Sequence, residues 1–198
     1  MAAAAVLAAI VLLLCGLFYL LYLNEQRWFE LSRQSAVELG CGAAPEKVKS
    51  LMEDYEIHRW QAGAFAVELK TGTVASLAGP AGAVPVTSAT ASIAWPKPLP
   101  FEFRVELKRL MNGNAATGDL DFDGELSVLT GDENAARAIL ERSELRAELR
   151  ELFQSGRSLP TASAALDEKG VSVRIFDKKR IRASLDLALS IARRISAG

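Results

Sequence analysis

Residues 1–23 form a single apolar run in which 22 positions are hydrophobic and Gly16 is the exception. At about 1.5 Å per residue, this run spans roughly 35 Å as a helix, enough to cross a hydrocarbon core of about 30 Å. Tyr19, Tyr22 and Trp28 gather at its C-terminal end, where amphipathic rings favour the headgroup zone. The pattern predicts an uncleaved transmembrane helix over 1–23 that meets the lipid bilayer directly. A signal peptide would want a positive start, a shorter apolar stretch and a small-x-small cleavage site. No Lys or Arg precedes the run, and Leu21-Tyr22-Leu23 is no such site. Cys15 follows Leu14 and is itself followed by eight more residues of the span, whereas a lipoprotein cysteine closes its apolar run.

Beyond the span the period of the apolar positions predicts the remaining elements. Over Asn24–Leu39, Trp28, Leu31, Ser35 and Leu39 share one stripe, which predicts a juxtamembrane helix that can continue from the span. Gly40-Cys41-Gly42 ends it, because glycine takes the left-handed conformation common at helix C-termini. Pro45–Asp54 reads as a short helix carrying Val48, Leu51 and Met52 inward. From about Ile57 the period changes to two. Ala64–Lys70 alternates as a strand, Thr71-Gly72 reads as a turn, and Val74–Leu77 as a returning strand. Gly79–Pro85 reads as a loop and Thr87–Trp95 as a strand closed by the Pro-rich stretch 96–100.

Phe101–Leu107 is the clearest strand, with Phe101, Phe103, Val105 and Leu107 on one face. Asn112-Gly113-Asn114 punctuates the next connection, and Asp121–Leu129 alternates again, so that Arg104 and Lys108 are expected opposite an acidic row. Asp132 and Glu133 open a helix to about Phe153, bent near Ser143 and ended by Ser155-Gly156. Ala162–Leu166 and Val171–Phe176 flank Asp167-Glu168-Lys169-Gly170, a hairpin signal. Arg180–Ser196 is an amphipathic helix with Arg193 and Arg194 in its last turn. Strands in runs rather than in alternation with helices predict an α+β domain with a mainly antiparallel sheet. The expected organisation is 1–23 transmembrane helix, 24–42 juxtamembrane helix and linker, and 43–198 α+β domain.

Composition and charge narrow the function classes. None of the 23 Lys+Arg or 24 Asp+Glu of the 198 residues lies in the first 23. The remainder therefore has ordinary globular composition and is long enough for a core of its own. A net charge of −1 and a pI near 6.0 argue against a nucleic-acid partner. Arg27, Arg33, Lys47 and Lys49 follow the span, and only the α-amine precedes it, so the positive-inside rule predicts a cytoplasmic C-terminal domain. Cys15 and Cys41 lie on either side of the membrane boundary and form no disulfide framework.

Four stretches carry candidate chemistry. Val37–Pro45 (VELGCGAAP) has the Gly-x-Gly of the cofactor loop of Rossmann-like methyltransferases, which would bind a nucleotide-like cofactor. That use needs a strand ending at Leu39 and a parallel sheet beside it, while the spacing before Gly40 is helical. Asp119, Asp121, Asp123 and Gly124 match the front half of a calcium loop, but the twelfth position is Thr130 and not Glu. Cys41 and His58, a lone thiol and a lone imidazole, are a conceivable nucleophile and base. Lys178, Lys179, Arg180 and Arg182 form the densest basic run, which reads as a solvated turn or as a contact for anionic lipid. With one histidine in the chain, no catalytic, cofactor or metal residues are assigned.

Residues Gly118–Leu140 hold Phe122-Asp123, Leu126, Val128, Gly131-Asp132-Glu133 and a helix carrying Ala136 and Leu140. This resembles a segment of bacterial membrane-anchored proteins of unknown function, in which a Phe-Asp…Phe-x-Val…Asp-Asp junction leads from strand to helix. Leu126 stands where an aromatic is usual. The following hairpin and terminal helix extend the likeness over 118–196. The resemblance implies architecture and attachment to a bacterial inner membrane, and no activity. Together these readings lead us to expect a non-catalytic interaction or scaffold module at the membrane surface, with an unidentified protein partner. The alternative is a methyltransferase-like enzyme using the Val37–Pro45 loop.

Overall fold

The computed structural model describes residues 2–49, 54–76, 84–108, 115–154 and 164–197. Its first element, α1 (Ala2–Glu38), is one unbroken helix of 37 residues, so the apolar run and the juxtamembrane stripe are a single rod. The helix is long and apolar enough to cross a membrane. It stops where the glycines predict: Gly40 has φ +94°, Gly40 N–H donates to Val37 O at 3.0 Å, and Cys41 N–H donates to Ala36 O at 2.9 Å. These two bonds satisfy carbonyls that the helix end would otherwise leave free.

The rest of the chain is of the α+β class. Eight strands form one antiparallel sheet: β1 (Glu46–Lys49), β2 (Asp54–Ala62), β3 (Phe65–Ser76), β4 (Val84–Ala94), β5 (Phe103–Leu107), β6 (Leu126–Thr130), β7 (Ala164–Asp167) and β8 (Gly170–Ile175). Their spatial order is β1-β2-β3-β4-β8-β7-β5-β6. The β7–β8 hairpin therefore fills the gap between the first four strands and the β5–β6 pair. Its two-residue loop matches the turn chemistry of the sequence: Asp167 Oδ1 accepts from Lys169 N–H and Gly170 N–H at 2.8 and 3.0 Å. Four further helices are α2 (Leu120–Glu125), α3 (Glu133–Leu140), α4 (Ser143–Gln154) and α5 (Ile181–Ser196). A 3-10 turn, Lys178–Arg180, leads into α5.

Alternation along the strands builds the core. Phe65, Val67, Leu69, Ala89, Ala91, Ile93, Phe103, Val105, Leu166, Val171 and Val173 are all buried on the same side of the sheet. Helix α5 closes over it with Ile181, Leu185, Ala188, Leu189, Ala192 and Ile195, and the second half of α1 packs on β2, β3 and β4.

Several elements differ from the sequence expectations. The helix expected over Pro45–Asp54 is replaced where the segment is described: Glu46–Lys49 is strand β1, paired with β2 from Glu46↔Ile57 to Lys49↔Asp54. A short strand rich in Lys and Glu suits an exposed sheet edge. Thr71-Gly72 is not a turn but the middle of β3, which runs on without returning at Val74. The turn lies at Gly63, with φ +68°. Gly72 is glycine because a Cβ there would lie 2.4 Å from both Asp54 O and Tyr55 Cβ. Asp121–Leu129 is not one strand. Asp119 caps α2, accepting from Asp121 N–H and Phe122 N–H at 3.2 and 3.1 Å, and only Leu126 onward is extended.

Consequently no acidic row faces β5. Arg104 lies opposite Leu129 and pairs with Glu106, and Lys108 Nζ donates to Asp123 O at 2.7 Å. The helix expected from Asp132 is two, α3 and α4, with the break held by Arg146, whose Nη1 donates to Leu140 O and Glu141 O at 2.6 and 2.9 Å. The loop expected over Gly79–Pro85 ends earlier, because Val84 and Pro85 already belong to β4, paired with Ser76 and Ala75 of β3. Residues 79–83, Leu51 and Met52, Asn112-Gly113-Asn114 and Ser155-Gly156 lie outside the described residues.

Candidate functional site

Helix α1 changes its surroundings within about one turn. From Ile10 to Leu23 large apolar side chains are open on every side, with Leu13 at 74% and Phe18 at 69% exposure, whereas Trp28 is 4% exposed. From Trp28 onward the helix belongs to the domain core, with Phe29, Ser32, Ser35 and Ala36 all buried.

The helix–sheet contact is partly polar. Thr73 Oγ1 donates to Glu25 Oε1 at 2.6 Å, and Thr73 and Thr87 hydroxyls lie 3.0 Å apart. Ser32 and Thr71 hydroxyls lie 2.7 Å apart. Arg33 grips Glu56 with two guanidinium nitrogens, Nε donating to Oε2 at 2.8 Å, and Lys47 Nζ lies 3.5 Å from the same carboxylate. Burial alone would raise the Glu56 carboxyl; Arg33 and Lys47 outweigh it and hold it below the usual carboxylate range. Beside it His58 is buried with no hydrogen-bond partner on Nε2 among the described residues, and burial pushes its imidazole below the ordinary value.

Where the apolar run ends, a cleft of about 690 Å³ opens between α1, the sheet and the start of the 3-10 turn. Phe18, Leu21, Tyr22, Asn24, Glu25 and Trp28 line one wall; Thr73, Thr87, Phe176, Asp177 and Lys178 line the other. Lys178 Nζ donates to Asn24 Oδ1 at 2.5 Å and ties the turn to the helix across 154 residues of chain. Asp177 caps the turn by accepting from Lys179 N–H at 3.0 Å. Lys179 and Arg180 point to solvent and make no ion pair among the described residues, whereas Arg182 bonds Asp186 and Glu38 at 2.7 and 2.8 Å.

The other sequence candidates have different settings. Val37–Pro45 follows a helix and not a strand, and the sheet strand after it is antiparallel to its neighbour. Those residues form a helix end and a link. Asp119, Asp121 and Asp123 each have different partners. Asp119 caps α2 and bonds Arg146 at 2.9 Å; the backbone N–H of Phe122, then Arg146, hold it below the usual range. Asp121 lies 3.7 Å from Arg150, and Asp123 accepts from Thr117 and Gly118 N–H groups. Among the described residues no three His, Cys, Asp or Glu side chains converge as metal ligands would. Cys41 Sγ is directed at the carbonyls of Ala43 and Arg59, and no hydrogen bond joins it to His58 among the described residues.

Sequence reasoning singled out Tyr22 and Trp28 and found Lys178 in the basic run, but Trp28, expected with the tyrosines in the headgroup zone, is instead buried in the domain core because it packs on the sheet. It missed Thr73, Thr87, Phe176 and Asp177, because no local pattern says that Phe176–Lys178 returns to the level of Asn24. The chain matches no protein-family model, no curated protein and no solved structure, so the fold and the cleft carry the functional reading.

Proposed function

We propose that the protein is a single-pass protein of a bacterial inner membrane. Its α+β domain would sit at the cytoplasmic surface as a non-catalytic module that engages another protein. The observation that carries this reading is the continuity of α1: the rod that presents lipid-compatible side chains up to Leu23 is the same rod that the sheet buries from Trp28. A domain so attached cannot swing freely, and its position relative to the bilayer is set by packing. The face of the sheet away from the helices carries Arg59, Glu68, Lys70, Ser92 and Arg174 and is the surface left for a partner.

Fractionation and spheroplast proteolysis test the reading. The full chain is expected in the membrane fraction, with its domain protected in intact spheroplasts and digested after lysis. Digestion from outside would reverse the orientation, and recovery in the aqueous fraction would remove the anchor. Crosslinking in membranes followed by co-purification is expected to capture a protein partner. The cofactor alternative is tested with S-adenosylmethionine, which is expected to leave the melting temperature of the detergent-solubilised chain unchanged.

A further inference from the structure

We propose that the cleft beside Asn24 holds one zwitterionic phospholipid, its phosphate on Lys178 and its ammonium on Glu25 and Asp177. This rests on the membrane-anchored reading above and names a ligand for that boundary. Lys178 is hydrogen-bonded to Asn24, the first polar residue after the apolar run. The cleft therefore lies at the depth where a helix leaving the hydrocarbon meets phosphates and amines. Phe18 and Tyr22, one helical turn apart on the lipid-facing part of α1, belong to its wall, and bilayer lipids are the molecules that already touch that surface.

Charge selects among them. The mouth carries one ammonium and two carboxylates, and each carboxylate has an oxygen left over. Glu25 uses one oxygen on Thr73 and Asp177 uses one on Lys179 N–H; neither second oxygen has a hydrogen-bond partner among the described residues. A purely anionic headgroup would meet two like charges, and a headgroup carrying phosphate and ammonium matches both signs. Trp28 and Phe176 also line the cleft, and the Phe176 ring already carries a cation, the Arg174 guanidinium, at 5.1 Å. The volume, about 690 Å³, falls within the range of about 300–1,000 Å³ typical of small-ligand sites, which suits a headgroup and glycerol with the acyl chains outside along α1.

The test is native mass spectrometry of the full chain, released from nanodiscs containing equal parts phosphatidylethanolamine and phosphatidylglycerol. One phosphatidylethanolamine is expected to remain bound in excess over phosphatidylglycerol. Lys178→Gln is expected to lower that occupancy about tenfold through loss of a charged hydrogen bond. Glu25→Gln, which keeps an acceptor for Thr73, is expected to shift the preference toward phosphatidylglycerol. Circular-dichroism melts of both variants should match the parent, which separates lost binding from lost folding. Bound lipid that mirrors the disc composition, a preference for phosphatidylglycerol in the parent chain, or a second copy of the chain in place of lipid would each overturn the proposal while leaving the anchor intact. Failure of the chain to enter the discs would overturn both.

Discussion

Glu56 is the residue most exposed to a change in its neighbours. Its side chain is only 6% exposed, yet it stays ionised because Arg33 reaches it from α1 and Lys47 from β1. Removing the stronger partner strands a buried charge, and that costs more than the pair itself contributes. Arg33→Ala is expected to lower the unfolding free energy of the detergent-solubilised chain by about 1–3 kcal/mol, read by denaturant titration, and Arg33→Ala/Glu56→Gln to recover part of it. An equal loss in the double variant would show that the contact is not electrostatic.

His58 and Glu56 also set the response to acid. Both groups titrate below their ordinary values of 6.5 and 4.5. The unfolded chain thus binds their protons first, and stability that is complete above those values is lost as pH falls through the lower folded ones. The melting temperature is expected to hold steady above about pH 7 and to fall in two stages, the first below 6.5 and the second below 4.5. His58→Leu is expected to remove the first stage and to leave the second, raising stability more at pH 5 than at pH 8. A first stage that persists in this variant would assign it to another group.

Among the elements, β3 shows how a turn residue serves a strand. Gly72 lets Tyr55 and the Asp54 carbonyl pass where any side chain would collide. Gly72→Val is therefore expected to destabilise by about 1–3 kcal/mol through forced separation of β2 and β3, although valine is the better strand former. Protection from hydrogen exchange should drop first along β2. A neutral or stabilising effect would mean that the strands separate there at little cost. The α3–α4 break is a comparable case: the sequence pattern sees a bend at Ser143, while the carbonyl contacts of Arg146 make it a stop and a restart.

At the scale of the whole molecule, α1 joins a segment long and apolar enough to cross a membrane to a segment that belongs to the core. Deleting residues 1–23 is expected to leave a cooperatively melting domain, because Trp28, Ser32 and Ala36 remain on the sheet. Deleting 1–40 uncovers the sheet face around β3 and β4 and is expected to abolish the cooperative melt and to increase binding of a hydrophobic dye. If the shorter fragment melts as sharply as the longer one, the second half of α1 is not part of the fold.

What the sequence determined by itself was whatever depends on local period and local backbone chemistry. The apolar run, the glycine-ended helix, the alternation of Phe103, Val105 and Leu107, the Asp167–Gly170 hairpin and the amphipathic α5 are all legible because side-chain spacing and turn residues act over a few positions. The α+β class follows from their order. Tertiary structure decided the rest, because the deciding contacts join distant residues. Pairing with β2 turns a charged helical-looking segment into edge strand β1, and close approach of Tyr55 makes Gly72 a strand residue. A cap and a buried Phe122 wind the acidic repeat into α2. The cleft is of the same kind: Asn24 and Lys178 meet only after the sheet has brought the end of β8 back to the helix, and no stretch of either neighbourhood encodes that meeting alone.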